Sequence, residues 1–432
     1  MPQFLDQRDA DFDAALTRLL DRAGERDMAV DQAVTGIIAD VRARGLDAVL
    51  DYTLRFDRIE LSEETLAFSA ADMDAAIASV PAEDRAALEL AASRIRAYHE
   101  RQRPDDALWT DAAGASLGWR WSPVGAAGLY VPGGSASYPS SVLMNAIPAQ
   151  VAGVERMVIC APTPDGRVNP LVLLAARLAG VETVYRIGGA QAIAALAFGA
   201  GPIAPVDKIT GPGNAYVAAA KRQVFGQTGI DLIAGPSEVL IIADGLNDPE
   251  WIALDLLAQA EHDEDAQSIL VTDDAAFGRA VAEAVEQQLQ ILERRAIAET
   301  SWQRRGAIIT VAALEDAVAI ADRIAPEHLQ ICTNDPELLS ARIRNAGAIF
   351  LGAATPEAIG DYVAGPNHVL PTAGSARFSS GLSVLDFMKR TTISGMNREA
   401  LQALGPAAER IARAEGLTAH ALSIRARLEG AG

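Results

Sequence analysis

Hydrophobic and polar residues change their spacing near residue 119 of the chain. Before about residue 105, apolar side chains recur three and four positions apart, which is the spacing of one helix face. The clearest stretches are 20–45 and 81–103, and the second also carries many charges. We therefore predict helices for most of the first hundred residues.

From about residue 119, short apolar runs alternate with stretches of helical periodicity. These runs are strand candidates, and they occupy residues 128–132, 156–162, 184–189, 206–213, 238–244, 268–274, 307–311, 330–335 and 348–352. Alternation of strands and helices at this spacing is typical of βαβ units and parallel sheets. The pattern predicts an α/β fold with two such layers, a helical N-terminal arm and a helical tail that begins near residue 385.

The charge of the chain narrows the classes of partner. Acidic residues outnumber basic ones by 57 to 37, which gives a net charge of −20. Nucleic acids and anionic lipids both require a basic surface, so we expect neither as a partner. The longest uncharged run, 121–154, is broken by glycine, proline and serine, and the N-terminus lacks the apolar core of a signal peptide. The two cysteines, Cys160 and Cys332, lie in strand-like runs, and we expect buried thiols in a reducing, cytoplasmic compartment.

Glycine- and proline-rich turns follow several strand candidates. Neither a Gly-x-Gly-x-x-Gly fingerprint nor a P-loop is among them. Three other turns, at 131–134, 211–214 and 234–237, contain Gly-Gly, Gly-Pro-Gly-Asn and Gly-Pro-Ser. Ligands of parallel sheets bind beyond the carboxyl ends of the strands, where glycine allows close approach. The turns are therefore either parts of a ligand site or ordinary strand–helix connections.

Four of the five histidines lie in short segments of the kind that hold a ligand. They are His262, His328, His368 and His420, whereas His99 lies in a charged helix and is predicted to be on the surface. Imidazole is a common metal ligand and a proton carrier near neutral pH. The four segments suggest one site assembled from distant parts of the chain.

Two of these segments pair a histidine with another polar residue. Gln259 and His262 lie three apart on a predicted helix and share a face, as two metal ligands do, although a helix-end histidine interacting with the dipole is the plainer interpretation. Glu327 and His328 follow a proline. Their side chains diverge, so they could serve different proton transfers in one cleft or simply occupy a turn.

The remaining candidates lie nearer the C-terminus. Asp361 precedes His368 by seven residues between glycine-containing turns, where a carboxylate is either a hard metal ligand or a cap. Glu415 precedes His420 by five residues in the predicted tail helix. A single histidine on such a helix is more often a packing residue than a ligand.

Taken together, the motifs resemble those of the histidinol dehydrogenase family. The resemblance covers most of the chain, between about residues 119 and 420, and its segments occur in family order. They are GLYVPGGSASYPSSVLMNAIPAQVAGV, RIGGAQAIAALAFG, KITGPGNAYVAAAKRQV, DLIAGPSEVLIIAD, LLAQAEHDEDAQ, APEHLQI, GAIFLG, GPNHVLPT and EGLTAH.

The resemblance implies an activity and a set of site residues. The activity would be the NAD-dependent oxidation of L-histidinol to L-histidine through L-histidinaldehyde, the last steps of histidine biosynthesis, by a homodimer with one zinc ion per subunit. The implied zinc ligands are Gln259, His262, Asp361 and His420. The implied catalytic pair is Glu327 and His328. Substrate contacts would come from the zinc ligands and His328 together with Ser237, His368 and Glu415. NAD contacts would come from Tyr130, Gln191 and Asn214.

The resemblance also implies how the chain is organised. It predicts two incomplete Rossmann-like domains, which agrees with the missing glycine fingerprint. The expected division is a helical arm at 1–27, a first α/β domain at 28–129 plus 239–384 with the catalytic and metal residues, a second, NAD-contacting domain at 130–238, and a helical tail at 385–432. The tail would cross to the partner subunit and bring Glu415 and His420 to its site.

Three other functions use the same residues. A related enzyme could oxidise another small alcohol, such as a sulfopropanediol, although the Glu415 and His420 matches favour histidinol. A zinc hydrolase would need no nucleotide, and it leaves Tyr130, Gln191 and the turns without a role. A metal-binding protein without catalysis is the third alternative.

Overall fold

The computed structural model describes residues 2–21, 28–132, 138–233 and 235–430. Strands are labelled in chain order, and within those ranges they are β1 (Gln3–Asp6), β2 (Ala107–Thr110), β3 (Ser116–Pro123), β4 (Ala126–Tyr130), β5 (Arg156–Cys160), β6 (Thr183–Tyr185), β7 (Lys208–Thr210), β8 (Gly229–Ile230), β9 (Glu238–Ala243), β10 (Gln267–Thr272), β11 (Ala307–Thr310), β12 (His328–Cys332), β13 (Ala348–Leu351) and β14 (Met388–Gly395).

Helices are labelled in the same way. They are α1 (Phe12–Leu20), α2 (Met28–Arg44), α3 (Leu46–Asp57), α4 (Ala70–Ala78), α5 (Ala82–Glu100), α6 (Pro139–Ala152), α7 (Pro170–Leu178), α8 (Gly189–Phe198), α9 (Ala215–Val224), α10 (Pro249–Ala260), α11 (Ala275–Gln288), α12 (Arg295–Arg305), α13 (Ala317–Ile324), α14 (Pro336–Ser340), α15 (Ala358–Tyr362), α16 (Arg398–Ala414) and α17 (Thr418–Glu429). Short 3₁₀ turns are found at Pro164–Gly166, Leu314–Asp316, Ser375–Arg377 and Val384–Phe387.

Two parallel sheets form the centre of the molecule. The larger has six strands in the order β1-β11-β10-β9-β12-β13, and the smaller has five in the order β6-β5-β4-β7-β8. All pairings in both sheets are parallel. Each of the nine strand candidates overlaps one of these strands, and the predicted α/β fold with two parallel sheets is confirmed.

Strand β9 illustrates why such runs are almost entirely apolar. All six of its residues are buried. Successive side chains of a strand point to opposite faces. Val239, Ile241 and Ala243 accordingly belong to one core, with α10, α11 and α12, while Leu240 and Ile242 belong to another, with α1 and α13. Helices cover both faces, so the strand cannot alternate apolar with polar residues.

The N-terminal helices pack on the five-stranded sheet. Helices α2 and α3 lie against α8 and α9 on one side, and α4 and α5 lie against α6 and α7 on the other. Residues 28–100 therefore cover the sheet of the expected NAD-contacting domain, although the domain division predicted above groups them with 239–384. Among the described residues, no helix combines the length and apolar character required to cross a bilayer.

Two strands lie near the ends of the chain, where helices were predicted. Gln3–Asp6, inside the predicted helical arm, pairs with β11 at the edge of the six-stranded sheet. Met388–Gly395, at the start of the predicted helical tail, pairs with β3 in a three-stranded antiparallel sheet of order β14-β3-β2. The first is too short to show a period, and the second is exposed along nearly its whole length, so it has no apolar face. The tail is helical only from Arg398, and residues 22–27 of the arm lie outside the described ranges.

One histidine and both cysteines test the predictions of burial. Cys160 and Cys332 are free and buried, as predicted. His99 is fully buried in α5, and its predicted surface position is wrong. Its Nδ1 lies 2.8 Å from the Ile95 carbonyl oxygen and its Nε2 lies 3.3 Å from Asn367 Nδ2. The charges near it lie on the other faces of the helix, while His99 and Ile95, one turn apart, share the inward face.

Candidate active site

The candidate residues lie at two edges of the two sheets. His328 begins β12, and Ser237 immediately precedes β9, so this group lies at the amino ends of two neighbouring central strands. Tyr130 ends β4 and the turn at 211–214 follows β7, so the second group lies at the carboxyl edge of the five-stranded sheet. The candidate residues of the smaller sheet lie where ligands of parallel sheets usually bind, whereas those of the larger sheet lie at the opposite edge.

The imidazole of His328 is oriented by a backbone carbonyl. Its Nδ1 lies 3.0 Å from the carbonyl oxygen of Glu238, which can only accept, so Nδ1 carries the proton. The other nitrogen, Nε2, is buried, and no atom in the described ranges forms a hydrogen bond with it. It faces Glu357 Oε2 at 3.9 Å and Asp361 Oδ1 at 4.0 Å. Burial lowers the pKa of His328, so the ring is neutral and presents a lone pair to these carboxylates.

Glu327 is held by the same backbone residue. Its Oε2 accepts a hydrogen bond of 2.9 Å from the Glu238 N–H. The N–H and the carbonyl of Glu238 thus orient the two divergent side chains, because β9 and β12 pair side by side. Burial raises the pKa of Glu327 well above its usual value, and the nearby carboxylates of Glu238, Asp361 and Glu357 raise it further.

Asp361 and His368 are joined in the same cluster. His368 Nδ1 donates to the Asp361 carbonyl oxygen at 3.0 Å and lies 3.7 Å from Asp361 Oδ1. On its other side, His368 Nε2 lies 3.3 Å from Ser141 Oγ on α6. Burial lowers the pKa of His368. The structure therefore brings Asp361 and His368 together with the catalytic pair.

Gln259 has a buried amide without a partner. Gln259 lies in the last turn of α10 and is 1% exposed. Neither its Oε1 nor its Nε2 forms a hydrogen bond within the part of the chain that the structure describes. An unsatisfied buried polar group costs roughly 1–3 kcal/mol, which indicates that the amide awaits a ligand.

His262 lies near the same cluster but on its exposed side. It follows the end of α10, and its imidazole adds to the effect of burial, which lowers the pKa values of both His328 and His368. Such an effect requires proximity. His262 therefore lies close to His328 and His368.

Glu357 is a site residue that the sequence analysis missed. Ligand atoms of His328, Glu357 and Asp361 all lie within 4.8 Å of one another. Glu357 is 2% exposed, and its Oε2 has no hydrogen-bonding partner among the residues that can be described. The spacing of four residues between Glu357 and Asp361 could have revealed it, because such positions share a face of a helical turn.

The tail residues are not brought to this cluster within one chain. Glu415 follows α16 and His420 lies in α17, and both are exposed. No hydrogen bond or ion pair of the described residues joins either side chain to the cluster. Of the expected zinc ligands, the single chain brings Asp361 into the cluster and His262 near it, whereas His420 is not in contact with it.

The expected NAD residues lie around the ends of β4, β6 and β7. The hydroxyl of Tyr130 accepts a hydrogen bond of 3.1 Å from the Gly189 N–H at the start of α8. Gln191 is buried, and within the described ranges its Oε1 has no partner. Asn214 is exposed and caps α9, accepting from the N–H groups of Tyr216 and Val217.

The three expected ligand turns are only partly described. The turn at 211–214 is described in full. Gly133 and Gly134 of the first turn, and Ala234 of the third, lie outside the described residues. Ser237, in the third turn, is half-buried, and its carbonyl accepts from the Gln267 N–H at 2.9 Å.

The donor atoms of the cluster fit a divalent cation. Imidazole nitrogen, carboxylate oxygen and amide oxygen form a mixed set that suits zinc without excluding manganese or cobalt. The unpartnered Gln259 amide and His328 Nε2 support such a ligand.

Comparison with known proteins gives consistent matches. The family model for histidinol dehydrogenase matches residues 20–428. Histidinol dehydrogenases of Cereibacter sphaeroides and Ruegeria pomeroyi are each 70% identical to this chain over 429 residues, covering 99% of the chain and 99% of each relative. The crystal structure of histidinol dehydrogenase from Elizabethkingia anophelis matches with a TM-score of 0.94 at 36% identity, covering 99% of this chain and 98% of that one.

Proposed function

Because the chain belongs to the histidinol dehydrogenase family, we propose that it oxidises L-histidinol to L-histidine through L-histidinaldehyde, with two molecules of NAD as electron acceptors. The observation that carries this proposal is the buried cluster in which the Nε2 lone pair of His328 faces the carboxylates of Glu357 and Asp361. These groups can bind a polar, amine-bearing alcohol and accept its protons.

The reaction removes two hydrides and adds one water. The alcohol CH₂OH loses a hydride and a proton to give the aldehyde, and the aldehyde then takes up water and loses a second hydride and further protons to give the carboxylate. When bound, NAD accepts one hydride in each oxidation. The side chains proposed to hold it are Tyr130, Gln191 and Asn214.

His328 is proposed as the general base for the alcohol and hydrate protons. Its Nδ1–H bond to Glu238 fixes the tautomer, and its Nε2 lone pair faces the cluster. A neutral imidazole with this orientation is ready to accept a proton near neutral pH. Glu327 is proposed to activate the water that attacks the aldehyde, since its raised pKa makes the carboxylate a stronger base.

The proposed metal is zinc, one per subunit. Its ligands would be Gln259, His262, Asp361 and His420, and when bound it would act as a Lewis acid that orients the substrate. Ser237, His368 and Glu415 would contact the remaining polar groups of histidinol. Because Glu415 and His420 lie away from the cluster of their own chain, we propose a homodimer in which the tail completes the partner's site.

We place this activity in the cytoplasm, at the end of histidine biosynthesis. The acidic net charge of −20 supports a small-molecule enzyme without nucleic acid or membrane partners. The two thiols are buried and unpaired, which agrees with a reducing compartment.

The decisive experiment is the stoichiometry of NADH release. We expect two NADH per L-histidinol, with histidine as the product, and loss of the reaction after chelation that zinc reverses. Release of NADH from dihydroxypropanesulfonate but not from histidinol would support an alcohol dehydrogenase of other specificity. Failure to bind NAD at all would contradict the proposal and favour a hydrolase.

A further inference from the structure

A single buried glutamine connects three elements that carry the candidate metal ligands. Gln330 lies on β12, two residues after His328, and is 0% exposed. Its Nε2 donates to Asp255 Oδ2 on α10 at 2.7 Å, and its Oε1 accepts from the Glu357 N–H at 3.1 Å. Both ends of the amide are therefore engaged, and each reaches a different element.

The direction of Gln330 follows from the alternation of β12. Leu329 and Ile331 belong to the core with α13, while Cys332 belongs to the core with α10. His328, Gln330 and Cys332 consequently share the face that looks toward α10. Gln330 Nε2 also lies 3.2 Å from Cys332 Sγ.

Each partner of Gln330 lies one helical turn from a proposed ligand. Asp255 precedes Gln259 by four residues on α10. Glu357 precedes Asp361 by four residues at the start of α15. Positions four apart lie on the same face of a helix. A displacement of Asp255 would therefore move Gln259, and a displacement of Glu357 would move Asp361.

We propose that Gln330 is a positioning residue that sets the spacing of the proposed zinc ligands Gln259 and Asp361 around the general base His328. This inference rests on the proposed function, because it assumes that Gln259 and Asp361 bind the same zinc ion beside His328. Residues that do not bind the metal but orient its ligands typically contribute about 10–100-fold to metal affinity. Gln330 does so for three elements at once, since its own strand carries His328 and its two bonds reach the other two.

The experiment compares zinc affinity among variants of the full chain. Zinc dissociation is measured by competition with a chromogenic chelator, and the melting temperature is recorded with and without zinc. Gln330→Met removes both hydrogen bonds, and we expect it to weaken zinc binding by about 10–100-fold and to shrink the zinc-dependent rise in melting temperature. Gln330→Glu keeps the acceptor for Glu357 but faces Asp255 with a second carboxyl group, so we expect a similar loss.

A reversed pair provides the rescue. In Asp255→Asn combined with Gln330→Glu, the new asparagine donates to the new glutamate, so the first hydrogen bond is restored in the opposite sense. The other carboxylate oxygen at position 330 still accepts from the Glu357 N–H. We expect zinc affinity to return toward the wild-type value. Ser268→Ala is the matched control, because Ser268 Oγ ties α10 to β10 by a buried bond of 2.7 Å to the Leu256 carbonyl and reaches neither β12 nor α15.

The outcomes separate this inference from the proposed function. Wild-type zinc affinity in Gln330→Met and Gln330→Glu, with histidinol oxidation intact in the unaltered chain, would overturn the role of Gln330 alone. An equal loss of zinc affinity in Ser268→Ala would also overturn the role of Gln330. Any change that loosens the packing of α10 would then weaken zinc binding. If Gln330→Met does not fold, the zinc affinities of Gln330→Glu and of the reversed pair provide the test. A loss in the first without recovery in the second would overturn the role of Gln330. An unaltered chain that neither binds zinc nor oxidises histidinol would refute both proposals.

Discussion

His328 combines a fixed tautomer with an open nitrogen, and its removal tests the proposed base. In His328→Asn, the amide can still bond to the Glu238 carbonyl, so folding should be retained. We expect the turnover of histidinol to fall by about 10²–10⁴-fold, the usual contribution of a general base. Steady-state NADH formation, with thermal unfolding as the check on folding, measures the effect. Unchanged turnover would remove His328 from the mechanism.

Glu327 is predicted to act at a different step. Glu327→Gln keeps an acceptor for the Glu238 N–H but cannot take a proton from water. We expect a greater loss in the oxidation of histidinaldehyde than in the oxidation of histidinol to the aldehyde. Single-turnover assays started from each substrate separate the two steps. Equal losses would contradict the division of labour between Glu327 and His328.

His99 should make the fold sensitive to acid. Burial lowers its pKa below the usual 6.5, and its ring donates to the Ile95 carbonyl and accepts from Asn367, so the folded state holds it neutral. Between the folded pKa and about 6.5, the unfolded chain binds a proton that the folded chain does not. Stability is therefore complete above pH 6.5 and falls as the pH drops below it, by at most about 1.4 kcal/mol per pH unit for this group.

Urea unfolding at several pH values between 7.5 and 5.5 checks this prediction. His99→Gln should be less stable at pH 7.5 and should lose less stability on acidification. Part of the slope should remain, because burial also lowers the pKa values of His328 and His368. An unchanged slope in the variant would show that His99 is not among the groups responsible.

At the scale of elements, a buried ion pair fastens the turn after β7. Lys221 on α9 pairs with Asp231, and their side chains are 3% and 1% exposed. Lys221 Nζ donates to the Gly211 carbonyl at 2.9 Å, and Asp231 Oδ2 accepts from the Gly211 N–H at 2.8 Å. Gly211 has φ of +114°, and a Cβ there would lie 2.0 Å from the Tyr130 carbonyl oxygen. The ion pair therefore forms hydrogen bonds with both the N–H and the carbonyl of Gly211. Only glycine fits this position, because any side chain would collide with the Tyr130 carbonyl.

Removal of one partner should be costly. Asp231→Ala leaves the Lys221 ammonium buried without its counter-charge, and we expect a loss of about 3–5 kcal/mol in the free energy of unfolding. Asp74→Ala is the control, because the Arg177–Asp74 pair has the same type of contact at 2.7 Å but is 51% and 66% exposed. Its loss should stay below about 1 kcal/mol. Urea denaturation measures the free energy of unfolding of both variants. Equal losses would show that the buried Lys221–Asp231 pair stabilises the fold no more than the exposed pair does.

The elements differ in how far the sequence could reveal them. Strand β9 is apolar at five of its six positions because helices cover both of its faces, so its bounds were predicted to within a residue. Strand β14 contains Lys389, Arg390 and two threonines on an exposed sheet, so its pairing with β3 leaves no hydrophobic signal. A four-residue strand such as β1 is shorter than any period that could identify it.

The candidate site shows the same division. Its predicted members came from a resemblance between motifs, and the structure brings Asp361 and His368 to the candidate pair Glu327 and His328. Gln330 could not be found in this way, because its role depends on contacts with Asp255 and Glu357 across 75 and 27 positions of the chain. Local spacing cannot register such contacts, which arise only when β12 packs beside α10 and α15.

For the whole molecule, the position of the tail decides whether one chain can hold a complete site. Glu415 and His420 are exposed, while the cluster with Asp361 lies elsewhere in the same chain. If the tail completes the partner's site, a dimer of Asp361→Asn and His420→Asn subunits contains one site with both defects and one with neither. We expect such heterodimers to regain activity, up to about half of the wild-type value per dimer because one of two sites is intact.

Separately tagged subunits, co-expressed and purified through both tags, provide the heterodimer for this test. Each homodimeric variant should be inactive and should bind less zinc, since each of its sites lacks a ligand. The heterodimer should bind one zinc ion per dimer tightly, which gives a readout independent of turnover. A heterodimer as inactive as both parents would mean that each tail serves its own chain, and the exposed His420 would then have to move across the surface of its own subunit to reach Asp361.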